Sequence, residues 1–340
     1  MHCIVSFAAP AAAQDPASGA GAPAKAGHGA VANVDGMQWP RLAALLPRLV
    51  QVDRDEGEPT SFSPPHERVL ARALGWQAGA QVGGDGRWPF AARCARADGI
   101  DPGSAAWGLV SPVHWHVGTD QVSLVDPEAL QLDEAGSRAL FEVVQPLFSG
   151  AGAGEGLRLI YGHATRWYVA HDSLQGLRTA SLDRVIGRNV DPWLDGQEGG
   201  AAAQALRRWR RLQAEVQMLL HAHPLNVARE ARGLLPVNSF WLSGCGRALP
   251  EAGEVTVQVE AGLRAAALGE DWVAWSAAWR ALEEGTLLGL DIALRRGSDV
   301  WLTLCGERTA VTFAPLRGGI LARFRNLLAR PSVPALLATL

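Results

Sequence analysis

The sequence predicts an α/β protein: a mostly parallel sheet flanked by helices, interrupted by an inserted α+β subdomain rich in hairpins. Three observations predict it. Short apolar runs alternate with amphipathic helical stretches along the chain, the pattern of strands joined by crossover helices. In the middle, over 111–190, the apolar period shortens to two and turn residues separate the runs. The length, 340 residues, exceeds one small core and suits one large α/β domain or two smaller ones. The expected organisation is an N-terminal part of the core over 1–110, the insert over 111–190, and a C-terminal part of the core over 191–340.

The elements follow in order. "MHCIVSFAAPAAAQD" has an apolar run and an A-x-A-like end, but no Lys or Arg precedes Lys25, so a first strand at Cys3–Phe7 is preferred to a signal peptide. Residues 9–34 are rich in Ala, Gly and Pro and read as flexible. "MQWPRLAALLPRLVQ" is a helix from about Pro40, bent or ended by Pro47. "SPPHERVLARALGW" is a helix with a serine cap and early proline, and "PFAARCARADGI" is another. "GLVSPVHWHVGTDQVSLVDP" reads as a hairpin turning at Gly118-Thr119-Asp120. An amphipathic helix begins near Asp133. "LRLIYGHATRWYVAHDS" is a strand pair, and "QALRRWRRLQAEVQMLLHAHP" is a long helix stopping at Pro224. "SFWLSGCG" and "VTVQVEA" are strands. Residues 270–297 are helical with Trp272, Trp275 and Trp279 on one face, "VWLTLCGERTAVTFAP" is a strand pair, and "GGILARFRNLLAR" is a last helix.

Composition excludes some functions. Hydrophobic residues make up 48% and charged residues 19%, as in soluble globular proteins, and the net charge of −3 gives no field that gathers nucleic acid or anionic membrane. No apolar run reaches the about 18–20 residues of a membrane span. The four cysteines are scattered, with no CxxC pair, and read as buried thiols of a reducing cytoplasm. The tryptophan face at 271–284 reads as core packing rather than as an exposed surface for a protein partner.

Several groups are candidates for chemistry. His114 and His116 alternate on a strand and share a face, so both imidazoles can reach one metal, but no third ligand is nearby and a solvent-facing pair is preferred. His221 and His223 diverge if helical. His171-Asp172-Ser173 is too local for a triad, there is no G-x-S-x-G elbow, and His163 stands alone. There is no Walker or dinucleotide glycine motif. "GCGR" reads as a glycine turn at a strand end, either a plain turn or one presenting N–H groups to an anion. Arg184 and Arg188, four apart, suit a phosphate or ion pairs to Asp183 and Asp191. Arg207–Arg211 reads as the solvated face of a helix.

Residues 223–250, "HPLNVAREARGLLPVNSFWLSGCGRALP", resemble the middle of the cofactor-independent phosphoglycerate mutases of archaeal type. The matching positions are His223, Pro224, Asn226, Arg229, Gly233, Pro236, Asn238, Gly244 and Gly246, with Ser243 where those enzymes carry arginine. "SPVHWHVGTDQVSLVD" is similar to their inserted hairpin. The chain after residue 35 also resembles the bacterial E-type regulators of pathogenicity factors, through "RWYVAHDS", "ASLDRVIGRNVD", "EVQMLL", "LPVNSFWLSGCG" and "LTLCGER".

The resemblance implies a reduced alkaline-phosphatase-like fold. It also implies two divalent metal ions held by Asp and His beside a Ser or Thr nucleophile. The first ligand would be an acid after strand one, where this chain has "CIVSFAAP". A later strand would end Gly-Asp-His; here it ends Gly306-Glu307-Arg308, and a guanidinium cannot ligate a metal. The expectation is therefore a cytoplasmic protein without the metal centre or the mutase and phosphatase activities, and with no cofactor. Its role would be regulatory or anion-binding, served by Arg308, Glu307, Arg247, Gly244, Gly246, Asn238, Arg184 and Arg188, with a small anion or a regulatory protein as partner. The alternative is an active enzyme with two divalent ions on His114, His116, His163, His171 or Glu307.

Overall fold

An apolar run is buried on both faces only where helices cover both sides of a sheet, and the first strand is such a run. His2–Val5 is buried at every position. The computed structural model describes residues 1–10, 37–77, 83–118, 121–150, 152–194, 200–252, 256–317 and 332–340. Numbered along the chain, its strands are β1 His2–Val5, β2 Leu49–Glu56, β3 Ala106–Val117, β4 Val122–Val125, β5 Arg158–His163, β6 Arg166–Ala170, β7 Ser239–Arg247, β8 Val257–Glu260, β9 Trp301–Cys305 and β10 Thr309–Pro315. The chain is mixed α/β and divides into two compact units, one of 1–59, 64–75 and 251–340, the other of 60–63 and 76–250.

The first unit holds a five-stranded sheet in the order β2-β10-β9-β1-β8. β8, β1 and β9 pair parallel, β10 pairs antiparallel with β9, and β2 pairs antiparallel with β10 at the edge. Its core takes Cys3 and Val5 from β1, Leu302 and Leu304 from β9, and tryptophans from the helix Trp272–Glu284. Trp275 and Trp279, one turn apart, are wholly buried and meet edge to face at 6.0 Å, and Trp39 meets Trp279 at 6.3 Å. The tryptophan face is therefore core, as expected. Asp271 starts this helix by accepting the N–H of Ala274.

The second unit holds a sheet in the order β4-β3-β6-β5, with β7 added to β3, and every pairing is antiparallel. The expected mostly parallel sheet is thus confined to three strands of the first unit. A core of Val110, Phe141, Phe148, Trp167, Trp209 and Phe240 lies between this sheet and the helices Glu134–Ser149 and Gly200–Leu220.

Other expectations are corrected locally. The first strand ends at Val5 rather than Phe7. The first helix stops at Leu45, and Leu49 opens β2, whose bonds come from β10. That partner lies some 260 positions along the chain, so local pattern does not announce it. The helix Pro65–Ala73 carries no side-chain cap. The helical stretch after Asp271 breaks at Gly285 into Trp272–Glu284 and Thr286–Arg295. "GCG" lies inside β7 rather than at its end. Residues 11–34 of the glycine-rich stretch, Thr119-Asp120 and the helix expected at 318–330 lie outside the described residues. Among the described residues no helix is long and apolar enough to cross a membrane.

Candidate functional site

In the first unit the carboxyl ends of β1, β8 and β9 lie side by side, the edge at which parallel α/β sheets bind ligands. β1 leaves through Ser6, Phe7 and Ala8. Ser6 donates both its N–H and its hydroxyl to the carbonyl of Glu260, at 3.1 and 2.8 Å, and Ala8 donates to the carbonyl of Cys305 at 2.7 Å. Phe7 sits at φ 56°, a left-handed backbone that costs a non-glycine residue about 1–2 kcal/mol. Its ring packs 5.4 Å from that of His66. The carboxylate of Glu260 accepts from the Thr286 hydroxyl at 3.0 Å and from the Gln258 amide.

β9 ends at Cys305. Gly306 is covered: a Cβ there would stand 2.5 Å from the backbone carbon of Leu340. Glu307 is half-buried and Arg308 exposed. The carbonyl of Arg308 accepts from Gly57 N–H and from the Arg68 guanidinium, both at 2.9 Å, so the main chain is fixed while the side chain projects. Arg68 and Arg72 both bond Asp55. Burial pushes the Asp55 carboxyl up, but the two guanidiniums outweigh it and hold it below its ordinary value.

The six candidates of the second unit are mostly structural. Arg184 is buried and donates to the carbonyl of Ser61 at 3.1 Å, so it faces no ligand space, and Arg188 lies half-buried after the short helix Leu182–Val185. Asn238 accepts the N–H of Trp115 at 2.7 Å and donates to its carbonyl at 2.9 Å. In β7, Gly244 and Cys245 face Gly108 alone, which makes a β-bulge, and Gly244 takes φ +63°. A Cβ on Gly244 would stand 2.9 Å from the main-chain nitrogen of Ala91, and one on Gly246 would stand 3.1 Å from Pro89 Cβ. The glycines admit the close approach of Pro89 and the helix Phe90–Ala97. Arg247 is exposed and pairs with Asp172 at 2.7 Å.

The other positions of the 223–246 stretch also hold main chain. His223 caps the helix Pro224–Glu230 by accepting Leu225 N–H. Asn226 is buried, donates to the carbonyls of Leu220 and Val237 and accepts the N–H of Val237. Arg229 donates to the carbonyls of Leu235 and Leu130, and burial lowers its pKa.

Among the described residues the histidines form no metal-holding group. Nδ1 of His114 donates to the Pro236 carbonyl at 2.8 Å, His116 is exposed, and His163 is exposed beside Asp98. Among the described residues no three His, Cys, Asp or Glu side chains gather as a metal site. His171 does engage Ser173: its Nδ1 lies 2.8 Å from Oγ and accepts the Ser173 N–H at 3.0 Å. Sequence spacing counts against a triad here, but a hydrogen-bonded pair is present.

Two polar clusters escaped sequence reading. Tyr168, wholly buried, donates to Asp98 at 2.6 Å, and Arg166 grips both oxygens of the same carboxylate at 2.9 and 2.7 Å. The Arg166 bonds, ahead of the opposing effect of burial, hold Asp98 below its usual value. In β1, His2 Nε2 pairs with the Thr303 hydroxyl at 2.7 Å, which pairs with Thr312 at 2.9 Å. The two threonines stand opposite each other in the β9–β10 ladder, the only signal available, and it needs the strand register.

No protein-family model and no curated protein matches the chain. Among solved structures it is similar to the cofactor-independent phosphoglycerate mutase of Thermoplasma acidophilum DSM 1728, at 14% identity and TM-score 0.37, over 94% of this chain and 90% of that one. It is also similar to a Pyrococcus horikoshii protein, at 11% identity and TM-score 0.43, over 95% and 92%.

Proposed function

We propose that this chain is a phosphoglycerate-mutase-like protein of the alkaline-phosphatase group, acting in the cytoplasm, that binds a small anion without a two-metal centre and serves a regulatory role. The observation that carries the reading is the chemistry of the strand ends. β1 leaves through Ser6 and Phe7, with no carboxylate, and β9 leads into Arg308, whose guanidinium stays protonated. Two divalent ions need several anionic or imidazole donors. This donor set does not fit them. A projecting guanidinium on a fixed main chain suits a phosphate or carboxylate instead. Of the eight sequence candidates, Arg308 remains in this role.

Metal analysis of the purified protein, a phosphate-monoester hydrolysis assay and calorimetric titration with inorganic phosphate test the reading together. The expected result is no tightly bound metal and no turnover. Phosphate binding should weaken about tenfold or more in Arg308→Ala, since one charge-assisted bond is worth about 1.5–3 kcal/mol. Two tightly held Mn²⁺ or Zn²⁺ ions with turnover would overturn it in favour of an active enzyme. Phosphate binding indifferent to Arg308 would remove the site.

A further inference from the structure

In the second unit, we propose that Ser173 is a nucleophile activated by His171, and that the pair accepts an acyl group from a carboxylic ester with a good leaving group. The geometry assigns the protons. A main-chain N–H can only donate, so the Ser173 N–H at 3.0 Å marks Nδ1 of His171 as an unprotonated acceptor, and the proton of the ring is on Nε2. The Ser173 hydroxyl, 2.8 Å from the same Nδ1, is therefore the donor of its bond. This is the contact a nucleophile makes with its general base. Both side chains are only half-buried, so a reagent can reach them.

The surroundings keep the imidazole neutral, as a base must be. Burial lowers its pKa first, and the positive charge of Arg208 adds to that, against the opposing charge of Asp172. Asp172 is itself paired with Arg247 at 2.7 Å. Arg208 is anchored on the carbonyls of Ala153 and Glu155, which fixes its charge near the ring. Gly156 lies along the Nε2 edge, where a Cβ would come within 3.5 Å.

The same turn limits the substrate class. The N–H of Ser173 goes to His171 Nδ1, that of Leu174 to the carbonyl of His171, and that of Gln175 to the carbonyl of Asp172. None of the three is left to stabilise an oxyanion. The attack therefore needs an electrophile that already carries a good leaving group. In the step, the Oγ–carbon bond forms, the ester carbon–oxygen bond breaks, and the leaving group departs with the electron pair. The hydroxyl proton passes to Nδ1 and then to the leaving oxygen.

The test uses the full-length protein and a fluorophosphonate, which unactivated serines do not attack. There the Oγ–phosphorus bond forms and fluoride leaves. The expected result is one label per chain, on the peptide carrying Ser173, and none on that peptide in Ser173→Ala or in denatured protein. In His171→Asn the amide oxygen can still accept the Ser173 N–H, so the turn is kept and the base is lost. Labelling there should slow at least about a hundredfold, the usual contribution of a general base. In the unaltered protein the labelling rate should fall with pH only below the ordinary histidine range, a measurement that needs no variant to fold. An unlabelled Ser173, an Asn variant labelled at the parent rate, or a rate flat through acid pH each overturns the proposal. None of these outcomes bears on anion binding at Arg308.

Discussion

Glu283 accepts the main-chain N–H of Arg41 at 2.5 Å, and its second oxygen accepts that of Leu42 at 3.0 Å. The first turn of a helix leaves its N–H groups without partners and carries partial positive charge. No side chain of the helix Pro40–Leu45 caps that turn. A carboxylate from the helix Trp272–Glu284, 5% exposed, does so from more than 240 positions away. Replacing Glu283 by Ala leaves two N–H groups without this acceptor in an apolar surrounding. We expect a loss of about 2–4 kcal/mol by urea unfolding followed through tryptophan fluorescence, with Glu283→Gln losing about half as much. Equal stability of the Ala variant would mean that water serves the turn as well.

His2 should make stability fall in mild acid. Burial, with the N-terminal ammonium adding to it, pushes its pKa down from 6.5 to about 4. In the unfolded chain the imidazole takes up a proton through pH 6.5, which the folded chain refuses until about pH 4. The contribution is thus intact above pH 6.5 and drains away as pH drops toward 4. Its upper bound is about 3 kcal/mol, at 1.36 kcal/mol for each pH unit. Unfolding midpoints at pH 7.5 and 4.5 measure it, and His2→Gln should flatten the difference.

Asp98 acts lower on the pH scale. Its carboxyl is held below the ordinary value by Arg166 first and Tyr168 second. Its stabilisation is complete above the ordinary aspartate value of about 4 and is lost as pH falls through the depressed folded value. Asp98→Asn should remove this acid sensitivity. Tyr168→Phe should cost about 1.5–3 kcal/mol at neutral pH, the usual worth of a bond to a charged group. A phenylalanine variant as stable as the parent would show that Arg166 alone satisfies the carboxylate.

What was legible in the sequence follows the range of the forces. The helices Phe90–Ala97 and Glu134–Ser149 and the pair β5–β6 are written in local period and turn residues, and they form where read. β2 carries no local signal, because its pattern after Pro47 gains meaning only from pairing with β10. The site suffered more. Arg184 and Arg188 look alike in sequence, but one is buried and the other half-exposed. Asn226, Arg229 and Asn238 have the polarity of a ligand site, yet Asn226 and Arg229 hold main chain of the loop leading into β7, and Asn238 holds the main chain of Trp115 in β3. A motif fixes which residues recur together, and the demand of buried main chain for partners is one reason they do.

Arg247 and Gly244 separate the two readings of "GCGR". Arg247 forms an exposed pair with Asp172, and such pairs contribute less than about 1 kcal/mol, so Arg247→Ala should be nearly silent in unfolding. Gly244→Ala should not be. Its φ of +63° costs an alanine about 1–2 kcal/mol, and the new Cβ would lie 2.9 Å from the nitrogen of Ala91, which is main chain and cannot swing aside. Gly99 is the control: it shares a positive φ, +78°, but has nothing within 4 Å of a Cβ, so Gly99→Ala carries the backbone cost alone. The expected order of stability is parent, Gly99→Ala, then Gly244→Ala, with at least about 1 kcal/mol between the variants, since overpacking costs of that size add to strain. If Gly244→Ala matched Gly99→Ala, the helix Phe90–Ala97 would not rest on the bulge, and an anion-binding turn would regain its case.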